Sequence, residues 1–128
     1  MKDTISCKND VKTNFLNKIR EFGIANAARV SGELLATIER WLYEGIEPRL
    51  DKAVNVLNAI GYTLSVSSVE ELASEIRQFG TTALHKTSGI SKSTLRSYLY
   101  VGKTPTLYGV DRIMTAIGKP LQIIKIAK

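Results

Sequence analysis

The chain has 128 residues, 44% of them apolar, a net charge of +6 and a single cysteine, Cys7. That composition excludes wholesale disorder and an internal disulfide, and no apolar run approaches the roughly 20 residues that span a bilayer. The positive balance points to a polyanionic partner, and the polar start, residues 1–7, lacks the apolar stretch of a signal peptide, so a cytoplasmic protein without membrane contact is expected.

Residues 1–14 are polar and without clear periodicity, and read as an N-terminal arm, flexible or forming a loosely attached helix. From Phe15 onward the chain repeats itself at an offset of 57 without a gap, with 16 identities over the 52 aligned positions 15–66 and 72–123. Phe22-Gly23 falls on Phe79-Gly80, Ser31-Gly32 on Ser88-Gly89, and Ala59-Ile60-Gly61 on Ala116-Ile117-Gly118. Gly45, Pro48 and Leu50 fall on Gly102, Pro105 and Leu107. Turn residues that recur in register mean that turns recur, so two copies of one small fold are predicted. The units are 15–67 and 72–128, with 68–71 as linker.

In the second unit, Leu72, Ile76 and Phe79 are spaced for one apolar face of a helix ending at Gly80. Thr81 or Thr82 can cap a second helix carrying Ala83 and Leu84, which stops at Gly89. Ser91 is a good N-cap for a third, with Leu95, Tyr98 and Leu99 inward, ended by Gly102. Thr104-Pro105-Thr106 turns into a fourth helix with Leu107, Val110, Ile113, Met114 and Ile117 inside. Leu121, Ile123, Ile124 and Ile126 then read as a strand, matched by Tyr62–Val66 in the first unit. The predicted fold is mainly α: two tandem four-helix units, each followed by a short β-strand.

The stretch Thr82–Leu99 has two short helices joined by a Gly-containing turn, the core of a helix-turn-helix. With Leu84, Gly89, Ile90, Leu95 and Tyr98, and then Gly102-x-x-Pro105-x-Leu107, it resembles that motif in the Cro/repressor-like superfamily. It is most similar to antidote proteins of addiction modules and small phage repressors. The resemblance covers nearly all of 72–126 and, more weakly, 15–67. It implies duplex DNA as partner, no cofactor, and a regulator, chiefly a repressor acting as a dimer. The alternative it permits is an antitoxin that binds a toxin and autoregulates its operon.

In such motifs the N-terminal residues of the second helix reach base edges in the major groove. Here those are Ser91, Lys92, Ser93, Arg96 and Ser97, residue types that donate to guanine or to several bases. Thr81, Thr82, Lys86, Tyr100, Lys103, Thr104 and Thr106 fall where phosphates are held. Charge separates the units: nine Lys/Arg against Glu75 and Asp111 give residues 72–128 a balance of +7, whereas 15–67 hold six of each sign. In the first unit Leu34, Leu35, Ala36 and Glu39 replace Ser91, Lys92, Ser93 and Arg96, and Glu33 replaces Ile90. Either its third helix begins earlier, near Ser31, or the motif has degenerated. Leu34 and Leu35 would then form a dimer or partner surface, or pack on the other unit, with weak DNA contact through Arg29 and Arg40 as a third reading.

Lone strands need partners for their backbone groups. The two strands pair within one chain, or Leu121 and Ile123 of the C-terminal strand pair with a second copy. The single histidine, His85, and the absence of a nucleophile–base pair, a metal-ligand cluster or a phosphate-binding glycine loop argue against an enzyme or a metal site. Aromatic residues at helix-core spacing, Trp41 and Tyr98 among them, argue against a single-strand stacking surface.

Overall fold

The computed structural model describes residues 11–101 and 103–126. The chain is mainly α-helical with a small two-stranded sheet, as its periodicity predicts. The first repeat contains α1 (Val11–Phe22), α2 (Ile24–Ser31), α3 (Leu35–Tyr43), α4 (Leu50–Ala59) and β1 (Tyr62–Leu64). The second contains α5 (Val69–Phe79), α6 (Thr81–Ser88), α7 (Lys92–Arg96), α8 (Leu107–Ile117) and β2 (Ile123–Lys125).

Two expected boundaries move. The predicted arm 1–14 overlaps α1, whose first residue, Val11, is only 2% exposed and joins Phe15, Leu16 and Ile19 on the buried face. The remainder of that arm, residues 1–10, lies outside the described residues. The predicted linker 68–71 is the start of α5. Ser68 Oγ accepts from Glu71 N–H at 3.1 Å, and Glu71 Oε1 accepts from the Ser67 N–H at 2.7 Å and hydroxyl at 3.1 Å. These bonds satisfy the Glu71 N–H of the first turn and the Ser67 N–H just before the cap, and Glu70 and Glu71 face the positive end of the helix dipole.

The repeats meet about a local two-fold axis. Arg49 and Thr106 occupy equivalent positions and form an antiparallel bridge with each other. Beside them, Leu50 N–H donates to Pro105 C=O at 2.9 Å and Leu107 N–H to Pro48 C=O at 2.8 Å. Each of these bonds becomes the other when every residue is exchanged for its repeat equivalent. Ser65 and Gln122, 57 residues apart, also pair across the repeats, though not symmetrically: Ser65 N–H donates to Gln122 C=O at 2.9 Å, and Gln122 N–H to Ser65 Oγ at 3.0 Å. One chain is thus an internal pseudo-dimer.

The strands complete this arrangement and settle their pairing within the chain. β1 and β2 are antiparallel, with Tyr62 opposite Lys125, Thr63 opposite Ile124 and Leu64 opposite Ile123. Leu121 is 5% exposed in the common core, and Ile123 is held in the ladder and packed against that core. Of the two expected pairings, the structure shows the one within the chain. The ladder runs to one side of the Ser65–Gln122 pair only. On the other side Pro120 has no N–H to give, and the Ser67 N–H is taken by Glu71.

A single apolar cluster spans both repeats, from Phe15, Ile38 and Leu57 to Leu84, Leu95 and Ile113. Phe15 and Trp41 stack at a tilt of 48° with ring centroids 5.6 Å apart. Helix α1 reaches over to α8 and β2, and Lys12 and Lys18 lie over the Tyr108 and Tyr62 rings at 5.4 and 5.0 Å. The two repeats thus share one contiguous apolar cluster.

Candidate nucleic-acid interface

Gly80, with φ of 98°, is the residue that enters α6, so the expected caps Thr81 and Thr82 lie inside the helix. No side chain caps this end. Its first-turn N–H groups and positive dipole are left to solvent or an anion. At the other end Gly89 takes the left-handed conformation, φ 76°, and its N–H donates to His85 C=O at 2.9 Å. Ser88 bridges the turn: its hydroxyl donates to Leu84 C=O at 2.7 Å and accepts from Ile90 N–H at 3.1 Å.

His85 braces the same turn. Its Nδ1 lies 2.7 Å from the Ile90 carbonyl oxygen. A carbonyl only accepts, so Nδ1 carries the proton in this contact. Arg112 Nη2 adds a bond to Ser88 C=O at 3.3 Å. These contacts fix the angle at which α7 leaves α6. Sequence reasoning left His85 and Arg112 outside the site; the signal was there in Arg112, which stands where the first repeat has Asn55.

Helix α7 begins at Lys92 with Ser91 as its cap, as expected: Ser91 Oγ accepts from Thr94 N–H at 3.2 Å and bonds Thr94 Oγ1 at 2.8 Å. Leu95 anchors it in the core with no exposure. The five predicted base readers then divide. Ser91 is engaged as the cap, Ser93 Oγ lies 3.2 Å from Ser91 Oγ, and Ser97 Oγ donates to Thr94 C=O at 2.6 Å. Lys92 is partly exposed and Arg96 exposed, and among the described residues neither makes a hydrogen bond or ion pair. The helix does not run on as one α-helix to its end. Ser97–Val101 form a π-helical turn, braced by Arg77 Nη2 on Leu99 C=O at 3.4 Å. Tyr100 projects outward with 75% exposure. Burial pushes the Tyr98 phenol above its ordinary value.

Of the predicted phosphate-holding residues, Thr82, Lys86, Tyr100 and Lys103 are exposed, and Thr81 and Thr104 are partly exposed. Thr106 is partly exposed as well; its Oγ1 accepts from Gly109 N–H at 3.0 Å as the α8 cap, and its backbone bridges Arg49.

The first repeat builds the same turn with a different face. Gly32 is left-handed at φ 79°, and Ser31 bridges Ala28 C=O and Glu33 N–H at 3.3 and 3.2 Å. Helix α3 starts at Leu35, the equivalent of Lys92, which overturns an earlier start near Ser31. Leu34 stands at the cap position with no side-chain acceptor to offer. Glu33, where an apolar residue was expected, is satisfied by Asn55 Nδ2 at 3.1 Å and Lys52 Nζ at 3.3 Å. Leu34 and Leu35 are 72% and 42% exposed, so they do not pack into the other repeat. Trp41, by contrast, is buried as expected.

Among the described residues no group of three or more His, Cys, Asp or Glu is placed to hold a metal ion, and no helix is long and apolar enough to cross a membrane. Comparison with known protein families, with characterised proteins and with solved structures finds no match.

Proposed function

We propose that the chain is a sequence-specific duplex-DNA-binding regulator, a repressor, whose second repeat presents α7 to the major groove. The observation that carries this reading is the pair Lys92 and Arg96. Both are unpaired among the described residues, one turn apart on a helix whose start is capped by Ser91 and whose entry angle is fixed by His85 and Arg112. Arg and Lys at the beginning of a recognition helix donate to guanine O6 and N7. Thr82, Lys86, Tyr100 and Lys103 flank α7 in the chain as phosphate ligands, and the uncapped α6 N-terminus adds its N–H groups. The balance of +7 over residues 72–128 supplies the long-range attraction. Each chain offers one basic reader, so two chains on an inverted repeat make the operator complex, and binding there blocks transcription sterically.

The exposed leucines of the first repeat favour a second reading, an antitoxin in which that repeat holds a toxin while the second represses. The experiment that tests the DNA reading is selection from a random duplex pool at moderate salt, since phosphate contacts weaken as salt rises. Wild type is expected to enrich an inverted repeat and the Lys92→Ala, Arg96→Ala variant is not. Absence of any enriched motif from wild type at every salt concentration would overturn the reading.

A further inference from the structure

Because the sequences of the repeats align without a gap, the surface each presents around its central turn can be compared position by position. From Ile90 to Thr106 the second repeat has Lys92, Arg96 and Lys103 and no acid, a balance of +3. The equivalent Glu33–Arg49 has Glu33, Glu39, Glu44 and Glu47 against Arg40 and Arg49, a balance of −2. Lys92 becomes Leu35, and Lys103 becomes Ile46. Leu34, Leu35, Tyr43 and Ile46 are all exposed, Leu34 and Tyr43 by two thirds or more. Glu33 is neutralised in place by Lys52. Glu39, Glu44 and Glu47 are exposed and, among the described residues, form no ion pair.

We infer that this face of the first repeat docks a second protein through a basic, amphipathic helical segment, with apolar side chains on Leu34 and Leu35 and lysines or arginines toward Glu39, Glu44 and Glu47. Charge selects this occupant. Duplex DNA and anionic lipid are both repelled by unpaired carboxylates. A second copy meeting the face isologously brings two net-negative surfaces together. A second copy meeting it head to tail forms open chains instead of a closed complex. A basic helix with an apolar stripe satisfies both halves of the surface, and peptide helices are commonly held in this way through anchors one turn apart. The proposal uses the first repeat alone and does not depend on what the second repeat binds.

The test titrates the full chain, by fluorescence anisotropy, into two labelled helical peptides of about 18 residues, five turns. Both carry the same leucine stripe, one with lysines on its flanks and the other with glutamates. The lysine peptide is expected to bind at least about tenfold more tightly. Leu34→Ser with Leu35→Ser is expected to weaken it about tenfold, consistent with the loss of one buried leucine's worth of contact. Glu39→Arg with Glu47→Arg is expected to reverse the order of the two peptides. All four positions are exposed, and a thermal melt confirms that each variant folds. Selected-duplex affinity stays at the wild-type value in the leucine variant, so failure of the docking proposal and failure of the DNA reading are separate results. Equal binding of both peptides, no binding of either, or indifference to the leucine substitutions would overturn the proposal. So would displacement of the lysine peptide by a thymine-rich duplex, which would make the face a nucleic-acid reader. Self-association in sedimentation that the leucine variant abolishes would assign the face to a second copy, and would overturn it too.

Discussion

Repeat 1 and repeat 2 close their central turns alike but not identically. Ser31 and Ser88 each accept from the N–H two residues on, and their hydroxyls donate back into the preceding helix, to Ala28 C=O three residues back and to Leu84 C=O four residues back; Gly32 and Gly89 take the same left-handed conformation. Asn55 and Arg112, at equivalent positions, each donate to the serine carbonyl, at 3.0 and 3.3 Å. Ile38 and Leu95, both fully buried, anchor the following helix in the core. The main difference lies on the outward face, where one repeat shows a capped cationic helix that passes into a π-helical turn and the other an uncapped apolar and acidic one. The lesson is that packing and backbone geometry hold the scaffold while the solvent-facing residues change freely. Buried positions are constrained by volume and polar satisfaction; exposed ones are not.

The comparison can be tested from its strongest element outward. Ile38→Ala and Leu95→Ala remove equivalent fully buried side chains, so each is expected to cost about 2–5 kcal/mol in urea unfolding. A much smaller cost for Ile38→Ala would mean that the first repeat is held less firmly by the common core. Next in size, Lys92→Leu with Arg96→Glu gives α7 the residues of α3. Selected-duplex affinity in a filter-binding assay is expected to fall about 100-fold, two base contacts at roughly 1–3 kcal/mol each, with little change in melting temperature. An unchanged affinity would move the reader elsewhere.

The caps make a sharper, smaller contrast. Ser91→Ala deletes a cap that exists and should destabilise by about 1 kcal/mol; Leu34→Ser supplies one that is missing and should stabilise by a similar amount. Destabilisation by Leu34→Ser in thermal melts would show that Leu34 is held by contacts its exposure does not reveal. The smallest effect lies at Tyr98. Its phenol ionises above the ordinary value of about 10 because burial disfavours the charged form. The neutral ring therefore contributes stability that is fully present below that pH and is lost as pH rises through the folded-state value. Tyr98→Phe should flatten the alkaline decline of the unfolding free energy, and an unaltered slope would place the relevant ionisation on another residue.

The repeat, its helices and the residues that turn it were legible in the chain. Glycines in register forced the turns, and apolar spacing named the inward faces, down to Leu84, Leu95 and Val110. The capping role of Ser91 could also be read, because a cap depends only on neighbours three residues away. Ser68 and Glu71 obey the same local rule and were readable in principle, but the alignment of the repeats drew the boundary four residues too late.

Other features required the folded chain. Whether the strands pair within one molecule depends on the pairing of Ser65 with Gln122, residues 57 positions apart in sequence, and on a proline at the unpaired side. That His85 braces a turn through Ile90, and that Ser97 turns back onto its own helix while the Arg96 side chain makes no bond among the described residues, depends on distances set by packing. The sequence by itself determined the periodic and the local: helix faces, turns, one cap and the charge of each half. The tertiary structure decided the reciprocal contacts between the halves and the availability of each polar side chain. Those depend on which groups the common core brings within bonding distance, and no spacing along the chain encodes that.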